Sequence, residues 1–162
     1  MAALLTDEQV LEVRARIRAV AERHVAVHGP DAISLRSIAA DLGWTAAALY
    51  RYYASKAQLL EAMRIAAHDR FSDLIEAAHA STDDLWDRSR AIGDAYLEFA
   101  ETELAAYQLM FAYPPEQGEK SAELQRAEQR SNRTLTLYVR EMVDAGLLAG
   151  DAELIAHAYW AS

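Results

Sequence analysis

Val10, Val13, Ile17 and Val20 recur at steps of three and four residues behind Thr6 and Gln9. That spacing puts the apolar side chains on one helical face, and Thr followed three positions later by Gln is a capping-box pattern. A long first helix is therefore predicted from Thr6 to about His28, where His28, Gly29 and Pro30 supply a stop. Ser34 is placed to cap a short second helix, whose apolar Leu35, Ile38, Ala39 and Leu42 follow the i, i+3, i+4, i+7 rule until Gly43 ends it. Thr45 is an N-cap for a third short helix through about Tyr53. Ser55 with Gln58 makes a further capping box, opening a fourth helix past Leu59, Leu60, Met63 and Ala67.

The rest of the chain keeps the helical period. The stretch TDDLWDRSRAIGDAYLEFAETE has acids in its first turn, where the helix dipole favours them, and an apolar stripe of Leu85, Ile92, Tyr96 and Phe99. YPPEQGEK, Tyr113 to Lys120, has two prolines and a glycine and is the clearest break. A helix that is polar through Arg133 turns apolar at Leu135, Tyr138, Val139 and Met142 and is predicted to end near Gly146. A last one begins at Asp151. No run alternates as a strand does. The pattern predicts an all-α protein with an N-terminal three-helix head of residues 1–56, a linking helix of about residues 55–80, and a larger helical body of residues 57–162.

Composition acts mainly by exclusion. Of 162 residues 52% are hydrophobic, with 6 Gly and 3 Pro, which fits an ordered helical protein. With no cysteine there is neither a disulfide framework nor a thiolate metal site or nucleophile. MAALLTDEQV lacks a basic start and is not expected to be a signal peptide, and no apolar run approaches the roughly 18 residues of a membrane span; a cytoplasmic protein with no membrane partner is expected. His24 and His28 stand four apart, a possible metal spacing, but no third ligand is evident and no metal or cofactor is expected. His68 and His79 are expected at the surface or a pocket edge, and the acidic pairs on solvated faces. With no nucleophile motif, phosphate loop or dinucleotide fingerprint, an enzyme is not expected.

The charge needs dividing before it informs. The net charge is −9, yet residues 1–56 carry seven Lys/Arg against six Asp/Glu, and the acidity lies in residues 57–162. Local charge decides whether a phosphate backbone can be approached. Two short helices joined by a tight Gly-containing turn and packed on a longer one form a helix-turn-helix, whose second short helix enters the major groove of DNA. Leu49 and Tyr53, four apart, would share the inward face. Tyr50 and Tyr52 offer phenol hydroxyls to phosphates, Lys56 an ammonium, and Ser34 and Thr45 hydroxyls at helix N-termini. The alanines Ala46, Ala47 and Ala48 let the helix backbone come close to the groove.

SLRSIAADLGWTAAALYRYYASKAQLL, Ser34 to Leu60, resembles the N-terminal domain of the TetR family of transcriptional regulators. That family shows a Ser/Thr-Leu-Arg start, then Ile-Ala and Gly-Val-Ser, then Leu-Tyr-x-x-Phe, then Ser/Pro-Lys-x-x-Leu. The match covers about residues 8–65. It implies phosphate contacts from Ser34 and Arg36, a backbone clamp of Thr45, Tyr50, Tyr52 and Lys56, and a base-reading face of Ala46, Ala47, Ala48 and Arg51. Trp44 stands where Val is usual, Tyr53 where Phe is, and the three alanines where a Lys, Gly or Thr commonly appears. Few polar readers remain, so discrimination rests on Arg51, Thr45, methyl contacts and DNA shape.

AYLEFAETELAAYQLMFAYP is similar to a segment of the TetR branch whose C-terminal domain carries a Trp-His-Gly motif, with Trp160 as its Trp. The resemblance implies a repressor, a homodimer on double-stranded operator DNA, released by a small-molecule effector bound in the body. Trp86, Tyr96, Phe99, Tyr107, Met110, Phe111, Tyr138 and Met142 are candidates for the effector pocket as a set, although for each alone packed core is the favoured reading. The dimer would use the helix around Leu135, Tyr138 and Met142 with Leu154 to Trp160. Because the last helix stops after barely three turns, the C-terminal domain is expected to be incomplete. The rival reading is a helical ligand-binding or protein-interaction module that has lost operator binding.

Overall fold

The capping residues start the helices as their chemistry requires. The computed structural model describes residues 6–112 and 120–160, with side chains to Ala158. Among these residues there is no strand. The helices are α1 (Asp7–His28), α2 (Leu35–Asp41), α3 (Ala46–Tyr50), α4 (Lys56–Ala80), α5 (Leu85–Thr102), α6 (Leu104–Tyr107), α7 (Ala122–Asp144) and α8 (Ala152–Trp160), with a π-helical turn, Gln108–Ala112, continuing α6. Thr6 and Gln9 form the complete capping box at α1, and Ser34 exchanges the same two bonds with Ser37 at α2. Ser55 Oγ accepts from Gln58 N–H at 3.1 Å, but the Gln58 side chain accepts from Ala54 N–H, one residue ahead of a strict box. Residues 113–119 of the predicted break, and the side chains of Tyr159 and Trp160, lie outside the described residues.

The chain forms two compact units, one of residues 1–64 and 104–119, the other of residues 65–103 and 120–162. The first has a core of Ile17, Val20, Ala21 and Val25 from α1, Leu35, Ile38 and Ala39 from α2, then Leu49, Tyr53, Leu59, Leu60 and Met63. Leu109, far away in sequence, completes that core from the π-helical turn, and its carbonyl accepts from Arg64 Nε at 3.2 Å. Arg64 is itself buried, so this bond satisfies a donor that water does not reach.

Between α2 and α3 the chain reverses at Gly43, whose φ of 71° is open to glycine at little cost. Gly43 N–H bonds to Ala40 O and Trp44 N–H to Ala39 O, closing α2 as a Schellman motif. The third helix is shorter than the sequence pattern suggests, ending at Tyr50 rather than Tyr53. Two arginines of α1 meet the residues that follow it. Arg14 Nη2 donates to Tyr52 O at 2.9 Å, and Arg18 Nη1 donates to the Tyr53 hydroxyl at 3.3 Å. Arg14 also lies over the Tyr53 ring, 5.2 Å from its centre. Tyr52 and Tyr53 are thus tied to α1, while their N–H groups still bond back to Leu49 O.

In the second unit Phe71 takes Tyr96 and Phe99 edge-on, at 5.8 and 5.1 Å between ring centres. The expectation for His68 is corrected: it is buried, with Nδ1 2.9 Å from Ser131 Oγ, which also lies 3.1 Å from Ser72 Oγ. A buried imidazole needs such partners. His79 is half-buried against Glu141, which also takes Arg88 at 2.7 Å. Arg130 bonds Asp73 and Glu76 of α4, each at 2.6 Å. In α8 Ala156 is buried, while Leu154 is 69% exposed.

Candidate nucleic-acid interface

The first unit positions its candidate residues through the cap of each short helix. Thr45, in extended conformation, accepts from Ala48 N–H at 3.2 Å and so opens α3. Leu49 is the one buried side chain of α3 and anchors it. Four-residue spacing then places Tyr53 inside with Leu49, and leaves Ala47, Tyr50 and Arg51 exposed. Ala46 and Ala48 are half-buried. Ser34 and Arg36 are exposed at the start of α2. Tyr52 is half-buried and lies 6.1 Å from Trp44, ring centre to ring centre. Lys56, at the start of α4, donates from Nζ to Asp31 O at 2.6 Å, fixing its ammonium beside the loop that precedes α2.

The partners of the cations distinguish this unit. Arg14 and Arg18 bond to Tyr52 and Tyr53, Arg23 to its own helix carbonyl at Ala19, and Lys56 to Asp31 O. Arg16 stands over the Trp44 ring, and Arg36 and Arg51 are exposed. Among the described residues none of these seven side chains pairs with a carboxylate, while His24 Nε2 lies 2.7 Å from Asp41 Oδ2. In the second unit most cations are so paired: Arg70 with Glu103, Arg88 with Glu141, Arg90 with Asp87, Lys120 with Glu128, Arg130 with Asp73 and Glu76, Arg140 with Glu153. Positive charge held by carbonyls and rings is not neutralised by a direct carboxylate partner.

Sequence reasoning missed Arg14, Arg16 and Arg18. For Arg14 and Arg18 a signal was present: they are four apart on α1, a spacing that lets both reach one partner, here Tyr53.

The eight effector-pocket candidates divide between the units. Tyr107, Met110 and Phe111 belong to the first, where the rings of Tyr107 and Phe111 lie 4.9 Å apart. The other five belong to the second. Phe99, Tyr138 and Met142 are buried core, Tyr96 is half-buried on Phe71, and Trp86 is exposed. A cleft of about 590 Å³ between α7 and α8 is lined by Asn132, Arg133, Leu135, Thr136, Leu137, Arg140, Glu153, Ala156 and His157, none of them among the eight. Among the described residues no cluster of three metal-ligating side chains occurs, and no helix is long and apolar enough to cross a membrane.

Comparison with known proteins accords with this geometry. Residues 17–63 match the bacterial regulatory proteins of the tetR family, and residues 89–162 match the tetracyclin repressor-like C-terminal domain. The HTH-type transcriptional regulator Rv1816 of Mycobacterium tuberculosis is 32% identical over 105 residues, 64% of this chain and 45% of that protein. The chain thus spans about half the length of the curated relatives it matches. A tetR-family regulatory protein from Rhodococcus RHA1 superposes with a TM-score of 0.76 at 27% identity, covering 90% of this chain and 77% of that one. AibR, in complex with isovaleryl coenzyme A and operator DNA, superposes with a TM-score of 0.75 at 21% identity, covering 90% and 82%, a likeness of fold. The head motif, the all-helical architecture and both family matches place this chain in the TetR family of bacterial transcriptional regulators, with a tetracyclin repressor-like C-terminal domain.

Proposed function

We propose that the protein is a cytoplasmic DNA-binding transcriptional repressor, that it acts as a homodimer on operator DNA, and that a small-molecule effector releases it. The observation that carries the DNA reading is the cation arrangement of the first unit. Seven Lys and Arg side chains there have no carboxylate partner among the described residues, in a chain of net charge −9. Phosphates are the partners such a surface lacks. Ser34, Arg36, Thr45, Tyr50, Tyr52 and Lys56 hold the backbone in this reading, and Ala46, Ala47, Ala48 and Arg51 face the bases. The head is residues 1–56, α4 the link, and residues 57–162 the effector and dimer domain.

Two copies place two α3 helices in successive major grooves, about 34–36 Å apart or a multiple of that. An effector lowers DNA affinity only through its differential affinity for the two spacings of the heads. Tyr96, the half-buried ring among the candidates of the second unit, is the first residue to test as an effector wall. AibR, whose fold this chain shares, is seen with both an acyl-coenzyme A and its operator, which makes that class a sensible first screen.

Enrichment of duplexes from a random library tests the reading. A reproducible two-fold symmetric sequence is expected. Recovery of no preferred sequence would favour a helical module without operator binding, to which the alanines of α3 are better suited.

A further inference from the structure

Arg16 has a setting unlike that of the other cations. Its guanidinium carbon lies 5.9 Å from the centre of the Trp44 ring, within the range of a cation–π contact. Trp44 in turn packs against Tyr52 at 6.1 Å, and it immediately precedes Thr45, which caps α3. Arg16 is exposed, and among the described residues no hydrogen-bond acceptor or carboxylate engages it. Contrast Arg14 and Arg18, which are half-buried and spend their donors on Tyr52 O and the Tyr53 hydroxyl.

A guanidinium attracted to an indole ring keeps its N–H groups for other partners, because the attraction is electrostatic and uses no hydrogen bond. That attraction also favours some rotamers of a long side chain over others, so less freedom is lost when an anion binds. The in-plane fork suits a phosphate. We infer that Arg16 is a phosphate-contacting residue of the DNA interface, held in place by Trp44 on the side of the head that carries Tyr52 and Thr45. This extends the protein's grip on the backbone from the two short helices to α1. The inference rests on the DNA-binding reading above.

The test uses a duplex enriched by this protein from a random library, with affinity measured by anisotropy over a range of salt concentrations. Each phosphate contact contributes about 0.9 to the slope of log affinity against log salt. Because a bound dimer carries the residue twice, Arg16→Ala is expected to reduce the slope by about two contacts and to weaken matched and mismatched duplexes by the same factor. Arg16→Gln, which keeps the stem and the helix propensity, should do the same, and Arg16→Lys should restore the slope. Arg126→Ala removes an exposed cation of α7 and should leave the slope unchanged. Thermal melts accompany each variant, so that loss of the fold is not taken for loss of a contact. If the parent enriches no duplex, both the function and this inference fall. If the parent binds but Arg16→Ala and Arg16→Gln keep its slope, or Arg126→Ala lowers it equally, the assignment of Arg16 alone is overturned.

Discussion

Leu49→Ala addresses the part of the head that touches DNA in this account. The third helix has five residues and too few internal bonds to hold itself, because a helix this short does not repay its nucleation. Leu49 is fully buried and is the only side chain of α3 in the core. Its truncation removes three carbons, worth about 2.5 kcal/mol at roughly 0.8 kcal/mol each, and leaves a cavity that raises the cost to about 3–4 kcal/mol. Against a typical total of about 5–15 kcal/mol, that is a large fraction. The assay is urea unfolding followed by tryptophan emission, Trp44 lying in this unit, together with amide exchange over residues 46–53. A lower midpoint at unchanged slope and faster exchange of the Ala48, Leu49, Tyr52 and Tyr53 amides are expected, since these bond to Thr45 and Leu49 carbonyls. A loss below about 1 kcal/mol with exchange unaltered would refute the claim that Leu49 anchors α3.

Glu141 supplies a pH prediction. Burial pushes its pKa up, but the bonds from Arg88 and His79 outweigh this and hold the carboxyl below its ordinary value. A depressed folded value contributes stability above the unfolded pKa of about 4.3 and loses it as pH falls through the folded value. Glu141→Gln should thus cost about 1–3 kcal/mol near neutral pH, a partly exposed pair deserving less than a fully buried one. The gap to the parent should close toward pH 3 in melts across pH; a gap independent of pH would contradict the ion-pair assignment. Lys56→Ala should lower the salt slope of DNA affinity by about one contact per protomer, two per bound dimer, at all sequences, whereas Arg51→Ala should relax preference at one or two positions of each half-site. An unchanged slope in the first, or uniform weakening in the second, would reverse those roles. Ser55→Ala removes the hydroxyl that accepts from Gln58 N–H and should cost about 0.5–2 kcal/mol of α4 stability. It should also reduce the effector-induced loss of DNA affinity, and equal titrations in variant and parent would show that coupling bypasses the start of α4.

What was legible in the sequence was mostly local. Thr6, Ser34 and Thr45 announce helix starts by chemistry that acts over three residues, and all three act as caps. Gly43 marks a backbone conformation that glycine adopts freely, and the turn falls there. Helical period carries α3 to about Tyr53, but it ends at Tyr50, and the bonds that tie Tyr52 and Tyr53 to Arg14 and Arg18, 35 or more residues away, leave no trace in that period. His68 fails for the same reason: its burial depends on Ser131, 63 residues further along the chain. Leu109 joins the first core from a segment the pattern assigns to the body. At the candidate interface the residue types were readable, since phosphate-binding groups cluster between Ser34 and Lys56. Arg16 was not, because its role arises only when the fold sets α1 against Trp44.

The most direct test of the account is footprinting of the purified protein on the intergenic DNA next to its own coding sequence. Protection of a two-fold symmetric site is predicted, with half-sites one helical turn or a multiple apart, lost as salt rises and weakened by Lys56→Ala. A protein that leaves the DNA uniformly cleaved at low salt, while a melt shows it folded, would contradict the assignment of the head as a DNA-binding domain.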